Sequence, residues 1–176
     1  MALDPPSAAR AAIAGWRDGL IAARPDLRPV GEGSLHVTLA FLGWMPERRT
    51  EEVAGAVESA CRGRRPPLLE PGAVRAVPPK RPRLFALDLG DPRGACDALQ
   101  ASVVDALAAA RLHHPERRPF WPHLTLARVK RGVRARPLEE AGSPPGAFVA
   151  ADVVLYRSTL RPQGALYEPL ARMTLR

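Results

Sequence analysis

Two tetrads of the form His-x-Thr-Leu hold the side chains of this sequence that are best suited to chemistry. The first begins at His36 in LHVTLAFLG and the second at His123 in PHLTLARVK. Successive side chains of a β-strand alternate between its two faces, so each tetrad would present an imidazole and the hydroxyl of Thr38 or Thr125 on one face. The valine and leucines of the tetrads would lie on the other face, where they could pack beneath helices.

Two imidazoles facing one cleft suit phosphoryl chemistry without a metal ion. One neutral imidazole can activate an attacking oxygen while the other, protonated, donates to the departing oxygen. The threonine hydroxyls could donate to non-bridging phosphate oxygens, and Arg128, three residues after Thr125, could stabilise the growing negative charge. A single histidine in a strand is more often a hydrogen-bonded structural residue. Recurrence in both halves favours function, because packing constrains the apolar positions of the tetrad and leaves the histidine free to vary.

The elements that would position the tetrads follow from apolar spacing and from Pro and Gly boundaries. Apolar residues at helical spacing predict three helices, each with a proline near its start: 5–23, 46–62 and 92–112. Short β-prone runs predict strands between them: 34–42, 72–77, 83–89, 120–129, 148–156 and 166–174. Proline-rich segments are predicted as surface loops: 64–71, 78–82 and 143–146. The predicted fold class is α+β.

An internal repeat relates the two halves of the chain. Ala-Leu-Asp at 2–4 recurs at 86–88, each time shortly before a proline and a predicted helix, and the tetrad of His36 recurs at His123. A duplication would relate the halves by a pseudo-twofold axis and place both histidines on one cleft. The first copy keeps only a short part of the opening strand that RLFALDL forms in the second, so either this strand is short or residues before it are missing.

Length and composition bound the other properties of the chain. With 176 residues and 46% apolar content, residues 1–176 are predicted to form a single two-lobed domain. The formal net charge of +8 raises the local concentration of polyanions such as nucleic acids, although a solvated arginine-rich surface would give the same charge. Cys61 and Cys96 are predicted to be reduced core thiols. The sequence shows no secretory leader and no membrane-spanning run, which predicts a cytoplasmic protein without membrane contact.

The tetrads and their surroundings resemble a known family. LHVTLAFLG and RPFWPHLTLAR, with the opening ALDPP and the closing VVLYRSTLRPQGALYEPLARMTL, resemble the two-histidine phosphoesterases. Within them, the resemblance is to the bacterial and archaeal RNA 2′,3′-cyclic phosphodiesterases, long called 2′-5′ RNA ligases. It covers nearly the whole chain and departs from the family at the shortened first strand. It implies a bilobal fold of the LigT type: two pseudo-twofold-related lobes, each an antiparallel-rich sheet flanked by helices, about a central cleft.

The resemblance also implies an activity and a set of site residues. Members of the family open a 2′,3′-cyclic phosphate to a 2′-phosphomonoester, with no metal and no cofactor. By resemblance, His36 is the general acid that protonates the leaving O3′ and His123 is the general base that activates water, while Thr38 and Thr125 bind the phosphate. The expected partners are RNA ends or nucleotides that carry a 2′,3′-cyclic phosphate, and the expected state is a monomer.

Two more residues match the family. Arg128 matches an arginine that contacts phosphate, and Phe41 matches an aromatic residue that stacks on the terminal base, although a phenylalanine beside a cleft often packs against its wall. Trp121 could also stack on a base, but a tryptophan at a strand start is more often packing. Two other functions stay open: 2′-5′ RNA ligation, which reverses the same chemistry, and a non-catalytic module that binds RNA or nucleotides.

The other polar residues give weaker signals. His113 and His114 are adjacent, so a shared metal site is not expected. Tyr156, Ser158 and Tyr167 lie on the predicted closing hairpin and none is predicted to be catalytic, although Tyr167 could reach the cleft. Eight basic residues could form a track for single-stranded RNA or be scattered surface charge: Lys80, Arg81, Arg117, Arg118, Lys130, Arg131, Arg134 and Arg136.

Overall fold

Three α-helices and nine strands make up the fold in the computed structural model, which describes residues 1–138, 142–161 and 164–176. The helices are α1 (Ser7–Ile21), α2 (Thr50–Cys61) and α3 (Ala95–Ala109). The strands are β1 (Ala2–Asp4), β2 (Leu27–Pro29), β3 (Val37–Thr38), β4 (Leu68–Val77), β5 (Leu84–Gly90), β6 (His123–Val129), β7 (Phe148–Val149), β8 (Asp152–Arg161) and β9 (Gly164–Thr174). The α+β prediction is confirmed.

The strand order of the sheet mirrors the repeat in the sequence. The strands pair in the order β7-β4-β5-β6-β3-β1-β8-β9, with β2 also pairing with β6. The tetrad strands β3 and β6 are antiparallel neighbours at the centre, and they are flanked by β1 and β5, which carry the two Ala-Leu-Asp sequences. The two halves therefore meet at the β3–β6 pair and share one sheet, and the pseudo-twofold relation passes through that pair.

Alternation along the tetrad strands decides which face is buried. Val37 and Leu124 are 1% and 0% exposed, and they belong to one apolar core with Ile13 of α1, Val57 of α2 and Leu99 of α3. Burying each such side chain contributes roughly 1.5–3 kcal/mol. The helices thus cover the apolar face of β3 and β6 and hold both strands in place. The neighbouring histidines and threonines are directed to the opposite face.

The first tetrad strand is much shorter than the predicted run 34–42. A 3-10 turn (Glu32–Ser34) precedes it. After Thr38, the amides of Leu39 and Ala40 both donate to the carbonyl of Met1 instead of continuing a regular ladder. Only Val37–Thr38 keeps strand geometry, because the segment before it forms local 3-10 hydrogen bonds and the segment after it bonds to Met1.

The predicted strand 148–156 splits into β7 and β8 because the chain changes partners at 150–151. The amide of Ala150 donates to the carbonyl of Pro67, beside β4, whereas the carbonyl of Ala151 accepts from the amide of Leu175, after β9. These partners lie near opposite ends of the strand order. Two residues connect them, so the sheet must curl.

The loop prediction for 64–71 is wrong in its second half, because β4 already begins at Leu68. Pro71 is accommodated within β4 at a β-bulge between Pro71 and Val74, where the ladder with β5 is interrupted. The loops predicted at 78–82 and 143–146 contain neither helix nor strand. Residues 162–163, between β8 and β9, lie outside the described residues.

The three predicted helices are confirmed, with shorter bounds at both ends. Cys61 ends α2 and Cys96 lies at the start of α3. Both are free and buried, and burial raises the pKa of their thiols to about 11 and about 12 respectively. They are core thiols, as predicted. Across the described ranges, none of the helices has the length and hydropathy that crossing a bilayer requires.

Candidate active site

The register between β3 and β6 brings the two tetrads together. Val37 pairs with Leu124, at the middle of each His-x-Thr sequence, in an antiparallel pair. One residue further in each direction, each histidine therefore faces the threonine of the other tetrad, on the face opposite the core. His36 and His123 are diagonal neighbours, a relation that places Cα atoms about 7–8 Å apart. Both imidazoles can reach one small group bound between them.

A cavity of about 110 Å³ lies over this point. The histidine and threonine side chains of both tetrads line it, together with two arginines, Arg28 and Arg128. Its other walls come from the segment 29–31 with Ser34 and from the β8–β9 hairpin. Such a volume holds several waters or one phosphate group. Because its lining combines hydroxyls, imidazoles and guanidinium groups, the cavity is suited to an anion.

A β-bulge explains how Arg128 reaches this cavity. Arg128 lies three residues after Thr125, and strict alternation would place their side chains on opposite faces of the strand. The β5–β6 register shifts by one residue, which leaves Leu126 as the extra residue on β6. Leu126 and Ala127 are both buried, at 1% and 0% exposure, and alternation resumes with Arg128 on the cavity side.

Arg28 adds a second guanidinium group beside that of Arg128. It lies on β2, directly opposite Arg128 in the β2–β6 register. Directly opposed residues share a face with Cβ atoms about 4.5–5.5 Å apart, a separation at which like charges repel. An anion between the two groups would relieve that repulsion. Sequence analysis missed Arg28, because the strand Leu27–Pro29 is too short to show alternation; its one signal was a position in the Pro- and Gly-rich segment before the first tetrad.

The hydrogen bond at Nδ1 fixes the tautomer of His123. Nδ1 lies 2.7 Å from the carbonyl oxygen of Trp121. A carbonyl oxygen only accepts, so Nδ1 carries the hydrogen and Nε2 of the neutral ring has the free lone pair. The indole of Trp121 stacks on the imidazole, with ring centroids 4.1 Å apart and planes 18° from parallel. One face of the indole is therefore packed against His123.

His36 lies between the rings of both tyrosines of the chain. Tyr167 meets the imidazole edge-on with centroids 4.6 Å apart, and Tyr156 stacks on it at 5.6 Å. Burial, reinforced by the positive charges of the N-terminus, His123 and Arg128, lowers the pKa of His36 from 6.5 to about 4. Within the described residues, its buried Nδ1 has no hydrogen-bond partner. In the ligand-free chain His36 is therefore neutral near pH 7.

The closing hairpin reaches the cavity through Tyr167, which lines it. Tyr156 contacts His36 without lining the cavity, and Ser158 is exposed on β8. The sequence allowed for Tyr167 at the cleft, but it gave no sign that both tyrosines would enclose one histidine, because the contact depends on how β8 and β9 continue the sheet beyond β1.

Phe41 lies outside the cavity lining among the described residues. Its side chain is 71% exposed, which does not fit packing against a cleft wall. Because β3 ends at Thr38, strand alternation does not direct Phe41 towards the tetrad side chains. The structure leaves this ring at the surface, three residues after the strand that carries the first tetrad.

The eight basic residues considered for an RNA track are all exposed, but they form two groups. The pair 117–118 precedes the first residue of β6, whereas 130–136 follows its last residue. Between them lies β6, whose seven residues span about 20 Å. The β4–β5 turn, with residues 80–81, lies near the second group, because the start of β5 pairs with the end of β6.

The cavity brings groups that transfer protons together with groups that stabilise negative charge. Over residues 1–138, 142–161 and 164–176, no group of three or more His, Cys, Asp or Glu side chains is arranged to hold a metal ion. The cavity instead combines two imidazoles, two hydroxyls and two guanidinium groups. These groups can move protons and stabilise negative charge at one phosphate.

Known proteins share the sequence pattern of this chain over most of its length. The profile of the 2′-5′ RNA ligase superfamily matches residues 5–161. The chain belongs to this superfamily. An RNA 2′,3′-cyclic phosphodiesterase from Aeropyrum pernix is 29% identical over 165 residues, which are 90% of this chain and 92% of that protein. The resemblance of the tetrads to the 2′-5′ RNA ligase superfamily is thereby confirmed.

Solved structures share the fold. The structure of the protein TT0787 from Thermus thermophilus matches with a TM-score of 0.77 and 27% identity, over 99% of this chain and 96% of that one. The structure of E. coli LigT complexed with 3′-AMP matches with a TM-score of 0.75 and 28% identity, over 99% of this chain and 95% of that one. The LigT-type fold expected for this superfamily member is confirmed.

Proposed function

We propose that this chain is an RNA 2′,3′-cyclic phosphodiesterase that hydrolyses a terminal 2′,3′-cyclic phosphate to a 2′-phosphomonoester. The observation that carries the proposal is the β3–β6 register, which sets His36 and His123 on one cavity. The Aeropyrum pernix relative that bears this name aligns over 90% of the chain, and the similar E. coli LigT was crystallised with a nucleotide, 3′-AMP. An imidazole pair can supply both proton transfers that this hydrolysis needs.

The cavity would bind the cyclic phosphate through charge and hydroxyl donors. Thr38 and Thr125 donate to the two non-bridging oxygens, since each lies beside the histidine of the other tetrad. Arg128 stabilises the negative charge that grows as water adds to phosphorus, and Arg28 holds the same phosphate from the neighbouring strand. Fixed donors of this kind act where charge develops, and removing one typically costs a rate factor of about 10²–10³.

Two proton transfers complete the reaction. The lone pair on Nε2 of His123 accepts a proton from water while the water oxygen bonds to phosphorus. The P–O3′ bond breaks, and His36 donates a proton to O3′. The phosphate remains on O2′, and the two imidazoles return to their starting states by exchanging protons with solvent.

His36 must become protonated when the substrate binds, because it is neutral in the free protein near pH 7. Its pKa of about 4 reflects burial and nearby positive charge. A bound phosphate places a negative charge beside the ring, which favours the protonated form. We therefore assign the acid role to His36 in the substrate complex, where the anion offsets the charges of Arg128 and its neighbours.

The proposal extends to the substrate's other end and to the state of the protein. Phe41, exposed beyond the first tetrad, stacks on the base next to the cyclic phosphate of an RNA end or nucleotide. Both tetrads come from one chain, so the monomer is the proposed active form. The proposed compartment is the cytoplasm, where buried free thiols such as Cys61 and Cys96 stay reduced.

The superfamily to which the chain belongs is named for a second candidate activity, 2′-5′ RNA ligation. A 5′-hydroxyl would attack the same phosphorus in place of water, and O3′ would leave as before. The same acid and base would serve both reactions. The choice between them depends on which nucleophile occupies the position next to His123.

Product analysis tests the proposed function directly. The protein is incubated with a 2′,3′-cyclic nucleotide in EDTA, and the position of the product phosphate is determined. We expect the 2′-phosphate, formed at the same rate with and without EDTA. A 3′-phosphate or a rate abolished by EDTA would contradict the mechanism, and absence of turnover would favour a binding module. Joined products after adding an RNA with a 5′-hydroxyl would identify the ligase activity.

A further inference from the structure

Trp121 is fixed between His123 and an aspartate. Its indole stacks on the imidazole, and its Nε1 donates to Oδ1 of Asp88 over 2.8 Å. Asp88 is paired with His123 in the β5–β6 register, and its other oxygen accepts from the guanidinium of Arg75. The side chain of Asp88 is only 16% exposed. The indole plane is thereby held from its far edge.

Tyr156 is fixed in a comparable way in the first half. Its ring stacks on His36 at 26° from parallel, and its hydroxyl donates to Oδ2 of Asp4 over 2.7 Å. Burial and the neighbouring Asp4 raise the pKa of Tyr156 to about 12, so the hydroxyl keeps the hydrogen that it donates. Asp4 is 4% exposed, and Arg10 and Arg172 lie 3.5 and 3.7 Å from Oδ2.

The two aspartates are equivalent in the repeat, but the two aromatic residues are not. Asp4 and Asp88 each end an Ala-Leu-Asp sequence on the strand next to a tetrad strand. Trp121 lies two residues before His123 on its own segment, whereas Tyr156 comes from β8. In both halves an aspartate accepts a hydrogen bond from an aromatic side chain that stacks on the histidine, but the two aromatic side chains come from different parts of the chain. Copying of one half cannot account for both rings.

We propose that Trp121 with Asp88, and Tyr156 with Asp4, are positioning residues for His123 and His36. This inference rests on the proposed function. A histidine ring rotates about its Cβ–Cγ bond in a broad torsional well, whereas proton transfer needs a geometry held to about 0.5 Å and 10–20°. A flat ring against the imidazole blocks this rotation, and the aspartate prevents the flat ring from moving with it.

The pair Trp121 and Asp88 is easier to test than the pair Tyr156 and Asp4, because Asp88 lies at the edge of the core. Asp4 is more deeply buried than Asp88 and contacts two arginines, so its removal would leave charges unpaired and lower stability. At Trp121, three variants separate the contributions. Trp121→Phe keeps a flat ring and loses the donor, Trp121→Leu loses both, and Asp88→Asn keeps an acceptor for Nε1 and loses the charge.

Steady-state kinetics on a 2′,3′-cyclic nucleotide gives the first readout. For Trp121→Leu we expect kcat to fall about tenfold or more, with KM within about twofold of the wild type. Removal of a group that orients a metal-bound histidine in other proteins has an effect of this size. Trp121→Phe should recover most of kcat, and Asp88→Asn should lie close to the wild type. Trp44→Leu, which removes a tryptophan that is 89% exposed, is the control.

The tautomer of His123, observed through the ¹⁵N shifts of its imidazole, gives a second readout that needs no turnover. In the ligand-free wild type, at a pH where the imidazole is neutral, we expect a single tautomer with hydrogen on Nδ1. Trp121→Leu keeps the carbonyl of residue 121 that accepts from Nδ1, but without the indole the imidazole can rotate away from that carbonyl, so its nitrogen shifts should move towards averaged values. Trp121→Phe should retain the single form. A variant that is merely less stable would have a lower thermal midpoint, but its imidazole shifts would not change in the order wild type, Trp121→Phe, Trp121→Leu.

The outcomes distinguish this inference from the proposed function. If the wild type is inactive but the ¹⁵N shifts of His123 differ among the Trp121 variants as expected, the proposed function is overturned and the positioning role is supported. An active wild type with an equally active Trp121→Leu and an unchanged tautomer would overturn the positioning role. A loss of kcat that is equal in Trp121→Phe and Trp121→Leu would also overturn it, because a flat ring would then have no effect.

The pair Tyr156 and Asp4 allows an independent test of the same inference. Tyr156→Phe keeps the ring on His36, and Tyr156→Leu removes it. We expect the leucine variant to lose more kcat than the phenylalanine variant, measured at temperatures where both are fully folded by circular dichroism. The reverse order would contradict a role for the ring at His36.

Discussion

At the scale of residues, two tetrads with the same pattern give their histidines different surroundings. His36 is enclosed by two tyrosine rings and has a pKa of about 4, whereas His123 donates to a backbone carbonyl and stacks on an indole. An acid and a base need different environments, and a duplicated sequence does not by itself supply them. The difference comes from residues outside the tetrads.

Burial of His36 should make the free energy of unfolding depend on pH. His36 binds its proton near pH 6.5 in the unfolded chain but only near pH 4 in the folded chain, so acid favours unfolding. The free energy of unfolding is therefore unaffected by His36 above pH 6.5 and decreases as the pH falls towards 4. His36→Asn lacks the titration, so its free energy of unfolding should change less across that window, by about 3 kcal/mol. Urea unfolding at a series of pH values measures this, and parallel curves would contradict the buried environment.

The acid and base roles can be separated through the leaving group. A substrate with sulfur in place of O3′ releases a thiolate, which needs no proton. We expect His36→Ala to regain most of its lost rate on this substrate, while His123→Ala stays slow because water still lacks a base. Rates on the oxygen and sulfur substrates are compared for each variant, and rescue of His123→Ala alone would reverse the two roles.

At the scale of elements, the β-bulge at Leu126 decides which arginine serves the cavity. Arg128→Ala should lower kcat/KM by about 10²-fold, the usual loss for one donor to developing charge, and Arg128→Lys should recover part of it. With a cyclic mononucleotide as the substrate for both variants, Arg131→Ala, at an exposed position after β6, is the matched control and should behave as the wild type. Equal losses at both positions would show that net charge, and not the bulge, sets the effect.

Patterns that are local in the sequence predicted much of this architecture. The tetrads, the three helices and the repeat of Ala-Leu-Asp each rest on side-chain spacing within one segment, so they could be recognised without knowing their partners. The same reasoning predicted the burial of Cys61 and Cys96, which lie on helices with an apolar face. The roles of the tetrad residues, of Arg128 and of Phe41 remain proposals.

Features that depend on pairing between distant segments could not be predicted. Arg28 reaches the cavity only because a three-residue strand pairs with β6, and such a strand has no periodicity to detect. The 148–156 run looks continuous in sequence, yet it changes partners at 150–151. Tyr156 and Tyr167 meet His36 because β8 and β9 extend the sheet beyond β1.

At the scale of the whole molecule, positive charge is concentrated at one end of the cavity. Arg28 and Arg128 line it, and the exposed groups at 80–81 and 130–136 lie near the same end of β6. These exposed groups therefore lie near the end of β6 that carries Arg128 of the cavity. An RNA chain that extends from the bound phosphate would follow these groups and release counterions.

Charge reversal at this end should affect RNA more than a mononucleotide. For Arg81→Glu combined with Arg131→Glu, we expect kcat/KM to fall for an oligonucleotide that ends in a cyclic phosphate, with a weaker dependence on salt, and to stay unchanged for the cyclic mononucleotide. The control reverses Arg117 and Arg118, which precede the opposite end of β6, a strand about 20 Å long. A larger effect of that control would place the RNA on the opposite side.

The most direct test of the central claim, that His36 and His123 act on one phosphate, is the rate of the double variant. His36→Ala and His123→Ala should each slow hydrolysis of a 2′,3′-cyclic nucleotide by about a hundredfold or more. Because the two groups act as a unit, the double variant should be scarcely slower than the slower single variant. Losses that multiply in the double variant, or a single variant with nearly normal rate, would contradict a shared phosphate.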